Sequence, residues 1–186
     1  GLLGLSKLMS IFKKILKYGG ALIGVILIVG GLFLAHTWYF KPVNINLFFG
    51  RMMLEVMAES PEMLSSLRVL EPIGIKGHNA KLDDDSLAAG DRFMQLLKDS
   101  YETLMNYEDE DLSEADLMSK RIAAFMLGNV IEAEKHRFLT FPVNQLFGVQ
   151  NGFPSFMEST HQVHSVRDAE DYVARTARLP VPLAVR

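Results

Sequence analysis

The sequence contains no cysteine. That absence excludes disulfides, thiolate zinc sites and cysteine nucleophiles. No stretch alternates apolar and polar residues at period two, so no sheet is expected. A glycine-rich phosphate loop is missing, as is the Gly-x-Ser-x-Gly elbow of serine hydrolases. So are the His-Glu-x-x-His arrangement of zinc enzymes and the spaced Asp-x-Asp-x-Asp-Gly loop that holds calcium. There is no internal repeat or low-complexity tract. Acidic residues are absent from the first 40 positions, which carry Lys7, Lys13, Lys14 and Lys17. Residues 41–186 hold the other 15 basic residues and all 22 acidic ones, a balance of −7. Nucleic acid is therefore an unsuitable partner, because phosphate binding needs a basic face.

What is present begins with an uncharged block. Residues 18–40 contain no Asp, Glu, Lys or Arg. As a helix rising about 1.5 Å per residue, they span roughly 34 Å, enough for a hydrocarbon core of about 30 Å. Trp38, Tyr39 and Phe40 close the block, where amphipathic rings favour the headgroup layer. His36 fits that interfacial region better than a ligand role. Four lysines precede the block, and only Lys41 and Arg51 follow closely, so the positive-inside rule places the N-terminus in the cytoplasm. The rival is a cleaved signal peptide. Its hydrophobic region is normally about 7–15 residues, followed by small residues at the cut. Cleavage after Ala35 puts bulky Phe33 at a critical position; cleavage after Gly31, with Val29 there, is possible. The anchor is the expectation. The opening Gly1, and Met9 just ahead of the block, suggest that residues 1–8 are a scar or upstream translation.

Beyond the block, cap signals and helical periodicity predict helices joined by short loops. Asn44 and Asn46 are caps for a helix over 46–59, with Phe49, Met52, Met53, Val56 and Met57 along one side. Ser60-Pro61-Glu62 starts a short helix over 61–68. Asp83 to Ser86 precede a helix over 84–106, whose core stripe is Met94, Leu97, Tyr101 and Leu104. Ser113 with Asp116 resembles a capping box for a helix over 114–138, with Met118, Ile122, Met126, Val130 and Ala133 as its buried face. Residues 139–164 are irregular, with a helical turn near 153–157. Ser165 with Asp168 starts a last helix over 166–177, with Ala169, Tyr172 and Val173 inward. The fold class is all-α, one transmembrane helix followed by a helical exterior domain. Its segments are a basic cytoplasmic stretch 1–17, the anchor 18–40, the exterior domain 41–175 and an irregular tail 176–186.

Four clusters could carry chemistry. Glu158, His161 and His164 place two imidazoles three residues apart, a spacing zinc can use on a helix. The loop-like context favours a structural or capping role. Met52, Met53, Met57 and Met63 could bind Cu(I), with or without His161 and His164, but their helical spacing favours core packing. Asp83–Asp85 and Glu108–Asp111 could attract calcium, and both runs also suit helix starts. No catalytic, cofactor-binding or metal-ligating residue is assigned in this chain.

A longer pattern remains. Phe141-Pro142-Val143-Asn144-Gln145, then Gly148-Val149-Gln150, then Asp168-Ala169-Glu170-Asp171-Tyr172-Val173-Ala174-Arg175 resembles the N-terminal region of the bacterial family known as domain of unknown function 885. Asn46-Leu47-Phe48-Phe49, Ser60-Pro61-Glu62-Met63-Leu64 and Leu82-Asp83-Asp84 fit the same region, so the resemblance covers residues 44–175. It implies a larger, mainly helical protein whose later part carries a His-Glu-x-x-x-Gly-His segment, similar to zinc peptidases. That segment is not in this sequence, so zinc is expected only outside it, and no ligand or base transfers to any residue here. After Arg175 the pattern departs: Pro180 and Pro182 stop the helix, as a frameshift, an early stop or a genuine tail would.

The sequence therefore predicts a membrane-anchored segment of a zinc-metallopeptidase-like protein, inactive alone. Its partners would be the bilayer and the C-terminal domain of the same protein or another envelope component. Loss of such a partner would leave Phe153, Phe156 and Tyr172 exposed. The alternative is a tethered helical binding module.

Overall fold

The computed structural model describes residues 2–139, 141, 143–146 and 148–178, with side chains from residue 17 onward. Every regular element among them is helical. In order they are α1 (Leu2–Tyr39), α2 (Ile45–Glu59), α3 (Pro61–Leu67), α4 (Leu87–Met105), α5 (Glu114–Ala133), α6 (Val149–Ser159) and α7 (Val166–Ala177). Short 3-10 turns lie at Glu71–Ile73, Asp109–Asp111 and Glu134–Leu139. The chain divides after Arg51 into two units, and α2 spans the division.

In the first unit, Lys17–Tyr39 is long and apolar enough to cross a membrane, and none of that span is buried. Leu22, Leu27 and Leu34 are each more than three-fifths exposed. The end of α1 is closed by a side chain. The Arg51 guanidinium donates from Nη1 to the carbonyls of Thr37, Trp38 and Phe40 at 3.1, 3.2 and 2.8 Å. A helix leaves its last carbonyls without intrahelical donors, and a cation there also complements the dipole. His36 stacks on Phe40, ring centroids 5.5 Å apart.

In the second unit, α4 and α5 form an antiparallel hairpin. Leu97 and Leu104 of α4 are buried and Met94 and Tyr101 half-buried, the stripe predicted by periodicity. Gly128 of α5 faces the Tyr101 ring, with room for a Cβ at 3.9 Å. Lys98 reaches Glu134 at 2.6 Å and Asp91 reaches Arg137 at 2.5 Å, tying the two ends together. Lys120 is buried, with Nζ donating to the Tyr107 carbonyl and to Asp109 Oδ1.

Most cap signals hold. Ser60, Ser86, Ser113 and Ser165 each accept a backbone N–H from the residue three positions on, and Asn44 Oδ1 accepts from Asn46. Asn46 itself lies inside α2 rather than capping it, and α4 starts at Leu87, after the acidic run, rather than at 84. Several packing expectations do not hold. In α5 the inward residues are Lys120, Ala123, Ala124, Leu127 and Ile131, whereas Met118, Ile122, Met126, Val130 and Ala133 face solvent. Both stripes repeat at helical spacing, and α4 packs against the smaller, less apolar one. In α7, Ala169 and Val173 point outward, and Asp168, Asp171 and Arg175 point inward. In α2, Ile45, Phe48 and Met57 are buried, and Met53 is exposed. The helix over 114–138 tightens to 3-10 geometry at Glu134, and the turn near 153–157 is a full helix, α6, that tolerates Pro154. Of the expected tail, Thr176 and Ala177 complete α7; residues 179–186 lie outside the described residues.

Candidate functional site

Arg175 is the largest fully buried side chain among the described residues of the second unit. It sits two turns into α7, on the face that begins at Asp168. Its Nε donates to the Lys81 carbonyl at 2.7 Å, and Nη2 donates to Ser65 Oγ and to the His78 carbonyl at 2.7 and 2.9 Å. Nη1 lies 3.2 Å from His161 Nδ1, and the guanidinium lies 5.0 Å from the centroid of the Phe156 ring. One side chain thus joins α3, the 68–86 loop, α6, the α6–α7 loop and α7. Burial pulls its proton affinity down, yet arginine stays charged in proteins. Carbonyls, a hydroxyl and an imidazole nitrogen replace its water.

That geometry fixes the state of His161. Its Nε2 is 3.0 Å from the Asp168 carbonyl, which can only accept, so Nε2 carries the proton and Nδ1 accepts from Arg175. The ring is neutral, and its lone pair is occupied. Tyr172 packs edge-on against it at 5.3 Å. Asp168 accepts from Lys76 Nζ at 2.9 Å and from the His164 backbone at 3.2 Å. The Lys76 ammonium, followed by the Ser165 hydroxyl and the His164 amide, holds its carboxyl well below the usual carboxylate range. Ser65 and Asn79 extend the network, Ser65 Oγ lying 2.8 Å from Asn79 Oδ1 and Asn79 Nδ2 donating to Glu71 Oε1.

His78 lies within this network but is used differently. Its carbonyl serves Arg175, while both ring nitrogens are buried without a hydrogen-bond partner. Burial lowers its pKa, against the pull of Glu71 and Asp171. Asp171 Oδ2 is likewise buried without a partner. Sequence reasoning missed Arg175 and Asp171, because an apolar-inside rule assigns α7 the opposite face, and it missed His78, because nothing local marks a loop histidine as buried.

The predicted clusters separate. His161 turns inward to Arg175, the His164 ring pairs with Gln162 at 2.8 Å, and Glu158 is exposed. Asp83 is a helix-start ligand: its carboxylate accepts from Ser60 Oγ at 2.6 Å and the Glu62 amide at 2.9 Å. Asp84 accepts the Ser86 amide, which lowers its pKa. Asp109 pairs with Lys120. Met57 is buried, Met52 and Met63 are half-buried. Among the described residues, no group of three or more His, Asp or Glu side chains could hold a metal ion.

Beside the network opens a cavity of about 560 Å³. Phe153, Phe156 and Val149 of α6 make its apolar wall, and its charged lining is Glu62 and Asp83–Asp85 with one cation, Arg178. Phe153 and Phe156 are half-buried rather than fully exposed, and Tyr172 is 38% exposed. Burial raises the Glu62 pKa, and Asp83 adds like-charge repulsion. A second hollow of about 330 Å³ lies across the Asp83–Asp85 strap, against Met63 and Phe93. The two hollows share the Asp83–Asp85 carboxylates in their linings, and in the first the α6 phenylalanines face them across a groove.

Residues 69–184 match the family model described as bacterial protein of unknown function (DUF885). The match begins later than the resemblance at residue 44, so the 46–49 and 60–64 segments fall outside it. No curated protein and no solved structure matches the chain.

Proposed function

The chain belongs to the DUF885 family of bacterial proteins, and from that premise we propose that it is the membrane-tethered, non-catalytic part of a zinc-peptidase-like protein, walling a peptide cleft. The carrying observation is the groove: phenylalanines on one side, carboxylates along the other, held by a rigid buried network. Apolar walls with a few placed charges suit an extended peptide bearing a cationic group. The network lends itself to scaffolding. Arg175 and His161 spend their polar atoms on each other, on backbone carbonyls and on the Ser65 hydroxyl, leaving neither free to act as a base or ligand. The hydrolytic metal would reside in a part bearing the His-Glu-x-x-x-Gly-His segment. Lipid would hold Lys17–Tyr39, with the lysines of the first 17 residues on the cytoplasmic side.

The test is direct binding of a fluorescent peptide library to the full chain in detergent, with and without zinc. Peptides combining an amine or basic residue with a bulky apolar neighbour should bind, and Phe156→Ala or Asp84→Asn should each weaken them about tenfold. Zinc-dependent hydrolysis by this chain alone would overturn the non-catalytic assignment. Absence of any peptide binding would overturn the cleft.

A further inference from the structure

Among the described residues of the second unit, no element covers the face of α5 turned away from α4. Along it run Met118, Ile122, Phe125, Met126 and Val130, which are 57, 53, 73, 61 and 46% exposed. Their spacing keeps all five on one side of the helix. Together they leave roughly 500 Å² of apolar side chain open, the size of the largest patch on an ordinary monomer and well over half of what one partner of a standard interface buries. α5 is apolar on two opposite faces, and a helix of that kind is normally enclosed.

The charges beside the patch say what encloses it. Arg121 and Glu132 are exposed, lie eleven residues apart and therefore sit three turns from each other on the same flank. Residues on the same flank of two antiparallel helices face each other. A two-fold axis near Met126 would set Arg121 of each copy against Glu132 of the other, twice. The same axis would lay the apolar stripes together. Glu132 is held by Lys135 on its own helix, an exposed contact that a cross-helix pair can exchange for little. An anionic lipid surface would call instead for clustered basic residues, and this flank carries Arg121 between two acids, Glu114 and Glu132.

We propose that the exposed face of α5 is a homodimer interface, in which two copies pair antiparallel through Met118, Ile122, Phe125, Met126 and Val130, flanked by reciprocal Arg121–Glu132 ion pairs. This is independent of the peptide-cleft reading.

The cysteine-free sequence makes the test clean. Met126→Cys in the full chain, in detergent micelles, should cross-link to a dimer with a short bis-maleimide. Sedimentation equilibrium of the unmodified chain should give a dimer. Arg121→Glu or Glu132→Arg alone should raise the dimer dissociation constant about tenfold, and the double reversal should restore it. Circular dichroism should remain unchanged in all of them, since both residues are exposed. A monomer at every concentration overturns the proposal. So does a dimer indifferent to both single reversals and to Phe125→Asp, which would place the contact elsewhere. So does a monomer whose Phe125 patch inserts into phosphatidylcholine vesicles.

Discussion

Arg175 shows what a single buried charge can organise. Its five N–H donors form a planar fork that lysine cannot reproduce, and four of the groups it serves come from segments outside α7. Arg175→Lys keeps the charge but abandons buried acceptors, so it should cost about 3 kcal/mol. The check is the denaturant midpoint in the same micelle; an unchanged midpoint would mean the network is not holding the segments. His78 carries the pH prediction. Its folded pKa is lowered from 6.5 by burial, so below pH 6.5 the unfolded chain takes up a proton that the folded chain resists. Stability should therefore fall as pH drops through that value. His78→Gln should flatten this slope relative to the parent chain between pH 7 and pH 5, read from unfolding midpoints. A parallel slope in the variant would assign the acid sensitivity to other groups.

At the scale of elements, the serine-capped helix starts and the α4 stripe were legible, whereas the start of α6 and the faces of α5 and α7 were not. Ser60, Ser113 and Ser165 announce their helices because a hydroxyl three residues before a free amide is a local device, independent of tertiary context. Facing is a tertiary outcome. In α5 two apolar stripes compete, and α4 takes the one containing Ala123, Ala124, Leu127 and Ile131. In α7 the polar face wins because Asp168 and Arg175 find partners in a loop nearly a hundred residues earlier, which no local period reveals. The groove was hidden for the same reason, since it joins the 82–86 strap to α6. α6 itself starts at Gly148, where an added Cβ would lie 2.6 Å from the Asn144 backbone nitrogen. Gly148→Ala should destabilise the domain by about 1–3 kcal/mol through overpacking and backbone displacement. Hydrogen exchange should show faster opening of Val149–Ser159 in that variant; unchanged protection there would show that the turn yields freely.

For the whole molecule, the decisive property is the uncharged helix. Membrane-scale length and composition could be read from residues 18–40 alone, because hydropathy needs no tertiary partner. The acidic balance of the rest, the capped helices and the family match at 69–184 then describe what that helix would carry. Cysteine accessibility in spheroplasts is the most direct measurement of this arrangement. Ser10→Cys and Glu170→Cys would each give the chain a single thiol, offered to a membrane-impermeant maleimide before and after lysis. The account predicts membrane-bound protein labelled at position 170 in intact spheroplasts and at position 10 only after lysis. Protein recovered in the soluble fraction, or labelling at position 10 before lysis, would contradict it.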